Sequence, residues 1–258
     1  MSGIAPKKSL GQHFLVDNNI LGVIARLAEL DADDVVLEIG PGFGVLTRVL
    51  AERCAHVHAV ELDRRLEPHL HELASAGNVS LHWGDALRLP LAELEPAPTK
   101  LVANLPYNVA TPIVAESLDG LPTVALWCVM VQREVADRFF AHPSTKAYGA
   151  VSVLVQLAAR RTALHPVSRT VFRPPPNVES AIVAFRRIDL PDGFAGIRRV
   201  VEAAFAHRRK TLANSLELAG VVPRATAVAA LASLGLDPSV RAEALEPPVF
   251  VDLARSLG

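Results

Sequence analysis

Five short apolar runs, Val35 to Ile39, Val57 to Glu61, Val79 to Trp83, Lys100 to Asn104 and Thr123 to Val131, recur through the first half of the chain, each bounded by Gly, Asp or Asn. Near-continuous apolar runs of this length predict strands buried on both faces of a parallel sheet. Between them, Leu46 to Cys54, Arg64 to Ala74 and Pro112 to Asp119 carry helical spacing. The alternation predicts βαβ repetition and hence a doubly wound α/β sheet. After Val131 the pattern changes. Gln132 to Ala141 and Tyr148 to Ala158 read as helices, and Arg161 to Val167 and Ser180 to Arg187 read as strands around the stiff Pro174-Pro175-Pro176 segment. A strand-turn-strand ending of this kind predicts an antiparallel edge added to the parallel sheet. The turn signal Pro191-Asp192-Gly193 then opens a stretch, from about Ile197 to Leu257, whose apolar positions have helical spacing only. A domain boundary is expected near Ile188 to Gly193. It separates an α/β domain over residues 1–190, whose first 15 residues are expected to be a mobile basic motif, from a small all-helical domain over residues 191–258.

With 258 residues, half of them apolar, the chain is long enough to bury a large core and a smaller one. No apolar run approaches the ~20 residues that span a bilayer, and Met1 to Leu10 has no apolar stretch of the kind an export signal carries. A cytoplasmic protein is expected. Cys54 and Cys128 are too few and too far apart for a disulfide framework or a zinc site, so no metal is expected and both read as buried thiols. The net charge of −1 hides an asymmetry: residues 1–150 carry 12 Lys/Arg against 18 Asp/Glu, and residues 151–258 carry 14 against 9. The second half is the side expected to face a polyanion.

A glycine-rich loop, Glu38-Ile39-Gly40-Pro41-Gly42-Phe43-Gly44, follows the first strand and precedes a helix, where open α/β sheets take nucleotide-type ligands. A dinucleotide fingerprint has the spacing G-x-G-x-x-G, whereas this loop is G-P-G-F-G, and Pro41 removes an N–H that a pyrophosphate would use. A cofactor without phosphates fits better. Glu61 ends the second strand about 20 residues downstream, placed to accept from both hydroxyls of an unphosphorylated ribose. Asp85, after the third strand in Gly84-Asp85-Ala86, is placed to accept from an adenine amino group. S-adenosyl-L-methionine is the cofactor these features select.

Asn104-Leu105-Pro106-Tyr107, after the fourth strand, adds the target. The exocyclic nitrogen of adenine shares its lone pair with the ring and is a poor nucleophile until acceptors hold its protons. The Asn104 side-chain oxygen and a nearby carbonyl could do so. Pro106 stiffens the turn, and Tyr107 offers a face for stacking, a contact worth about 1–3 kcal/mol per base. Taken alone, the tetrapeptide also reads as a turn at a strand end. The acidic residues ending the preceding strands favour the pocket. Neither cysteine follows a Pro in a strand-end loop, so a covalent thiol mechanism is not expected.

Seven ordered motifs make the chain resemble the KsgA-type small-subunit ribosomal RNA adenine dimethyltransferases from Lys7 to about Leu253. They are Lys8 to Leu15, Glu38 to Gly44, Glu61-Leu62-Asp63, Asn104 to Asn108, Lys146-Ala147-Tyr148-Gly149, Phe172 to Ser180 and Arg208 to Leu216. The resemblance implies a class I S-adenosylmethionine-dependent methyltransferase sheet. It implies cofactor contacts from His13, Leu15, Gly40, Glu61, Asp85 and Asn104, with Gly42, Leu62 and Ala86 beside them. It also implies a target-base pocket of Asn104, Leu105, Pro106 and Tyr107, closed on its other face by Phe172. The chain departs from the family pattern at His13, where many relatives have Asn, and at Arg173, which replaces a small residue before the triple proline.

The implied reaction is N6,N6-dimethylation of two adjacent adenosines in a loop near the 3′ end of 16S ribosomal RNA, within the 30S subunit or its precursor, with a role in small-subunit biogenesis. Arg208, Arg209 and Lys210, after His207, are expected to hold phosphates, with Arg160-Arg161 and Arg186-Arg187 as further pairs. A monomer is expected. Three alternatives remain open: a macrolide-resistance type 23S rRNA methylase, a catalytically silent RNA-binding assembly factor of the same fold, and, disfavoured by the loop spacing, a nicotinamide dehydrogenase.

Overall fold

A computed structural model describes residues 12–75 and 77–258. The part of the first motif that lies before Gln12, with the basic Lys7-Lys8 pair, falls outside the described residues. The chain divides into two compact units, the first made of residues up to 136 together with 161–187, the second of residues 137–160 and 188–258.

The first unit is built on strands β1 (Phe14–Leu15), β2 (Val35–Ile39), β3 (His56–Glu61), β4 (Val79–Trp83), β5 (Lys100–Asn104), β6 (Leu126–Gln132), β7 (Ala159–Val167), β8 (Phe172–Arg173) and β9 (Ser180–Arg187). Seven of them form one sheet in the order β4-β3-β2-β5-β6-β9-β7. The five from β4 to β6 are parallel, and β9 runs antiparallel to β6 with Trp127 opposite Phe185. Helices α1 (Asn18–Leu27), α2 (Val45–Ala51), α3 (Glu67–Ala74) and α4 (Ala110–Gly120) accompany the parallel strands. The continuous apolar runs have the cause the pattern suggests, since every residue of β2 and the middle of β5 are buried.

Helix α1 has no counterpart among the elements read from the sequence, although its signals are there. The Asp17 side chain accepts from the Asn19 amide at 2.7 Å, and Leu21, Ile24 and Ala25 form the buried stripe. The small sheet of β1 and β8 is a second finding: Phe14 pairs with Arg173 and Leu15 with Phe172. Phe14 and Leu15, expected at the end of a mobile segment, are therefore strand residues, and Leu15 is buried.

Arg187 corrects another expectation. Rather than facing RNA, its guanidinium donates to the carbonyls of Leu118 (2.6 Å), Leu121 (2.8 Å) and Val124 (2.6 Å) and stacks 4.8 Å over the Trp127 ring. It thus satisfies carbonyls that the end of α4 leaves without helical partners. Its neighbour Arg186 is paired with Glu29 at 2.6 Å.

The second unit contains α6 (Ala150–Ala158), α7 (Phe194–Ala206), α8 (Leu212–Leu218), α9 (Arg224–Ser233) and α10 (Pro247–Ser256), while α5 (Arg133–Phe139) spans the crossing between units. Tyr148 anchors its core: the ring lies edge-on to Phe205 and the hydroxyl donates to the Leu245 carbonyl at 2.7 Å. The crossing at 187–188 has a turn signal just after it. The crossing at 136–137 has none, because the chain passes through it as helix.

Candidate functional site

A cavity of about 320 Å³ opens at the C-terminal ends of β2, β3, β4 and β5, and residues 12–15 form part of its wall. This is where open α/β sheets bind ligands. The loop after β2 turns back on itself through glycines with φ of +75° at Gly40 and +61° at Gly42. A Cβ on Gly40 would sit 3.2 Å from the Pro106 ring, and one on Gly42 would meet the Phe14 ring at 2.9 Å. The glycines therefore permit both the turn and the close approach of two neighbouring walls.

Glu61 is buried where the loop meets the end of β3. Its Oε1 accepts from the amides of Leu62 (2.9 Å) and Asp63 (2.8 Å), and its Oε2 from the amide of Gly42 (3.2 Å). Burial raises its pKa, these three amides oppose the rise, and the Asp63 charge adds to it. A carboxylate has about four acceptor positions, so three amides leave limited capacity for ribose hydroxyls. Asp63 is held well below the usual carboxylate range by the Arg65 guanidinium, and Gln12 also donates to it at 3.1 Å. Asp85 is half-exposed; its Oδ1 accepts from the Leu87 amide at 3.0 Å and its Oδ2 lies 3.7 Å from Arg88.

Glu38, at the head of the same loop, also lines the cavity, although the sequence analysis assigns it no role. It is fully buried, its Oε2 has no hydrogen-bond partner, and burial lifts its pKa to about 8, with the Thr47 side chain opposing and the Glu61 charge adding. A signal was present: it is the one acid inside the otherwise apolar run Val35 to Ile39.

On the other side of the cavity, Asn104 Nδ2 donates to the His13 carbonyl at 3.0 Å. A carbonyl can only accept, which assigns the amide orientation and leaves Oδ1 as an acceptor for a ligand. The His13 ring places Nδ1 2.9 Å from the Pro174 carbonyl and lies 5.3 Å from the Tyr107 ring. By the same reasoning Nδ1 carries the proton. The Tyr107 hydroxyl is hydrogen-bonded to Ser180 Oγ. Leu105 is buried and its amide donates to the Met130 carbonyl at 3.0 Å.

The cavity thus brings together His13, Leu15, Gly40, Gly42, Glu61, Leu62, Asp85, Ala86, Asn104, Leu105, Pro106 and Tyr107. Phe172 is not among its walls: it is 1% exposed, paired with Leu15 and buried in the core. The aromatic rings that do line the cavity are Phe14, Phe43 and Tyr107. Arg160, Arg161, Arg208, Arg209 and Lys210 are exposed elsewhere. Arg208 is partly committed, donating to the Tyr148 carbonyl at 3.1 Å and lying 3.6 Å from Glu243.

The lining chemistry discriminates among cofactors. Among the described residues, three carboxyl side chains, Glu38, Glu61 and Asp85, line the cavity and no Lys or Arg does. Burial keeps Glu38 neutral, but a wall of acids with no cation among the described residues still offers phosphates no partner and suits a ligand that carries positive charge, as the sulfonium and ammonium groups of S-adenosylmethionine do. Both thiols are buried, Cys54 pushed up to about 11 and Cys128 to about 12, mainly by burial, so neither is a nucleophile at neutral pH. No group of three or more His, Cys, Asp or Glu residues among those described could hold a metal ion. No helix among the described residues is long and apolar enough to cross a membrane.

Residues 4–257 match the family model described as ribosomal RNA adenine dimethylase. The chain is 49% identical to the ribosomal RNA small subunit methyltransferase A of Rubrobacter xylanophilus, over 98% of this chain and 95% of that protein. The protein of the same name from Phenylobacterium zucineum is 44% identical, over 98% and 88%. Among solved structures, a dimethyladenosine transferase from Plasmodium falciparum superposes with a TM-score of 0.77 at 25% identity, covering 93% of this chain and 96% of that one. The 23S rRNA methyltransferase ErmE superposes with a TM-score of 0.66 at 30% identity, covering 95% and 99%.

Proposed function

The chain belongs to the ribosomal RNA adenine dimethylase family, as an S-adenosylmethionine-dependent rRNA adenine methyltransferase, and from that premise we propose how its cavity works and which RNA it modifies. The substrate is the small-subunit RNA, and the reaction is N6,N6-dimethylation of two adjacent adenosines in a loop near the 3′ end of 16S rRNA, in the 30S subunit or its precursor. The protein acts as a monomer in the cytoplasm and contributes to small-subunit biogenesis. The observation that carries the site reading is one cavity whose wall, among the described residues, is carboxyl-lined without Lys or Arg on one side and presents the Asn104 acceptor and the Tyr107 ring on the other. The small-subunit assignment is supported by the names of relatives 44–49% identical, against 30% for the 23S enzyme.

S-adenosylmethionine supplies a methyl group on a positively charged sulfur, open to attack in line. Gly40 and Gly42 give its nucleoside room, Glu61 accepts from the ribose, Asp85 and Ala86 border the adenine, and Leu62 covers it. His13 and Leu15 close the wall from the N-terminal side. Asn104 Oδ1 would accept a hydrogen bond from the target amine and a carbonyl at Leu105 or Pro106 a second, which would localise the amine lone pair for attack on the methyl carbon as its bond to sulfur breaks. Tyr107 holds the ring of the base, which enters from a single-stranded loop or by flipping. Positioning does most of the work, and the proton left on the methylated nitrogen passes to water. Phe172 supports this wall from below through Leu15. Arg209 and Lys210, with Arg160, Arg161 and the partly committed Arg208, contact RNA phosphates.

The reading is tested by incubating the protein with labelled S-adenosylmethionine and either unmodified small or unmodified large ribosomal subunits, then mapping the labelled bases. Dimethyladenosine at two neighbouring positions of the small-subunit RNA is expected. Label confined to the large subunit would replace the reading with the 23S one, and no transfer to either would leave the silent assembly factor.

A further inference from the structure

Ser180 is an unusual occupant of its position. It opens β9, stands opposite Gln132 of β6, and is 1% exposed. A hydroxyl buried in a sheet is costly unless it is paired. The partner of this one is the Tyr107 hydroxyl, 73 residues away in the chain, and Ser180 Oγ bonds to no other group among the described residues. Tyr107 is in turn constrained at both ends. Its backbone follows the stiff Pro106, its ring is flanked by the His13 ring at 5.3 Å, and its hydroxyl end is held by Ser180. Burial raises the Tyr107 pKa, so the phenol keeps its proton and either hydroxyl can donate.

We propose that Ser180 is a positioning residue for the transfer reaction, fixing the Tyr107 ring in the orientation on which the target adenine stacks. This rests on the function proposed above. A ring tethered only at its backbone can change rotamer, and the stacked base would move with it. Displacement of a reacting group by about 1 Å can cost up to about a hundredfold in rate. Ser180 does not itself line the cavity, and its side-chain bond is to Tyr107 on the target-base side, so its effect should fall on turnover and not on cofactor affinity.

The experiment compares Ser180→Ala, Ser180→Thr, Tyr107→Phe and the double variant Ser180→Ala/Tyr107→Phe with wild type. It measures kcat and KM on unmodified small subunits and, separately, affinity for S-adenosylmethionine. Tyr107→Phe removes the same hydrogen bond from its other end while leaving the Ser180 side chain in place. Ser180→Ala and Tyr107→Phe should each lower kcat about tenfold, the size of one hydrogen bond. Cofactor affinity should stay within about twofold, the double variant should be no slower than the worse single, and Ser180→Thr should recover most of the rate. Wild-type kcat in Ser180→Ala, or losses that multiply in the double variant, would overturn the inference. An equal fall in kcat and cofactor affinity in Ser180→Ala alone would do the same, marking a general structural defect. An inactive wild type would overturn this inference together with the functional reading, whereas an active wild type with an unaffected Ser180→Ala would overturn this inference alone.

Discussion

Glu61 takes its three hydrogen bonds from amides at positions 42, 62 and 63, whereas across the same cavity Asn104 is fixed by a carbonyl at position 13 and Tyr107 by a hydroxyl at position 180. The half assigned to the cofactor is therefore organised largely by its own strand ends and loop. The half assigned to the target base is organised by segments brought from both extremes of the unit. Most of the first is formed once β2, β3 and β4 are paired. The second requires β1 and β9 to be in place as well. Binding of the small molecule and orientation of the base should accordingly be separable by mutation.

The largest effect is expected at Asn104. Asn104→Ala removes the acceptor proposed for the amine, and single-turnover transfer should fall by about a hundredfold or more, the scale for one preorganised polar group at a reacting centre. A loss below tenfold would move the target pocket elsewhere. Glu61→Ala should do the opposite, weakening S-adenosylmethionine affinity about ten- to a hundredfold in calorimetry, since hydrogen bonds to charged groups are worth about 1.5–3 kcal/mol. Unchanged affinity would remove Glu61 from the ribose and dissolve the contrast between the halves.

Arg209 and Lys210 lie outside both halves, and their combined replacement by Ala should leave cofactor affinity and the saturated rate unaltered. What should change is the slope of log affinity for RNA against log salt, by roughly one and a half units for two phosphate contacts. An identical slope would relocate the RNA footprint. The smallest effect concerns Glu38. Folded protein holds a proton on this carboxyl up to about pH 8, while an ordinary glutamate releases it near 4.5. The stability it contributes is complete below about pH 4.5 and is lost as pH rises toward 8. Melting temperatures of wild type should thus fall relative to Glu38→Gln across that window, and parallel curves would contradict the buried, protonated carboxyl.

The same contrast explains what could be read from residue order. The central parallel strands were legible because each is an apolar run buried on both faces, and the glycine loop, Glu61 and Asp85 were legible because strand order brings them to one end of the sheet. Glu38 was overlooked although an acid inside an apolar strand is a strong signal. The contacts of His13 with Asn104 and Pro174, and of Ser180 with Tyr107, had no local signature, since each is set by tertiary closure over 73 to 161 residues. Phe172 and Arg187 were misjudged for a related reason. An aromatic residue in a site motif suggests a pocket wall and an arginine in a basic pair suggests surface chemistry, but Phe172 is buried in the core and the half-buried Arg187 is held by carbonyls far away in the chain. The second unit's share of residues 137–160 was equally invisible, because α5 carries the chain across without a break.

If the two halves of the cavity have separate tasks, Asn104 is where they meet. The most direct test is to titrate Asn104→Ala with S-adenosylmethionine by calorimetry and to measure, on the same preparation, single-turnover transfer to unmodified small subunits at saturating cofactor. Separate halves predict an affinity within about threefold of wild type and a rate lower by about a hundredfold or more. A loss of affinity as large as the loss of rate would show that the two halves are one.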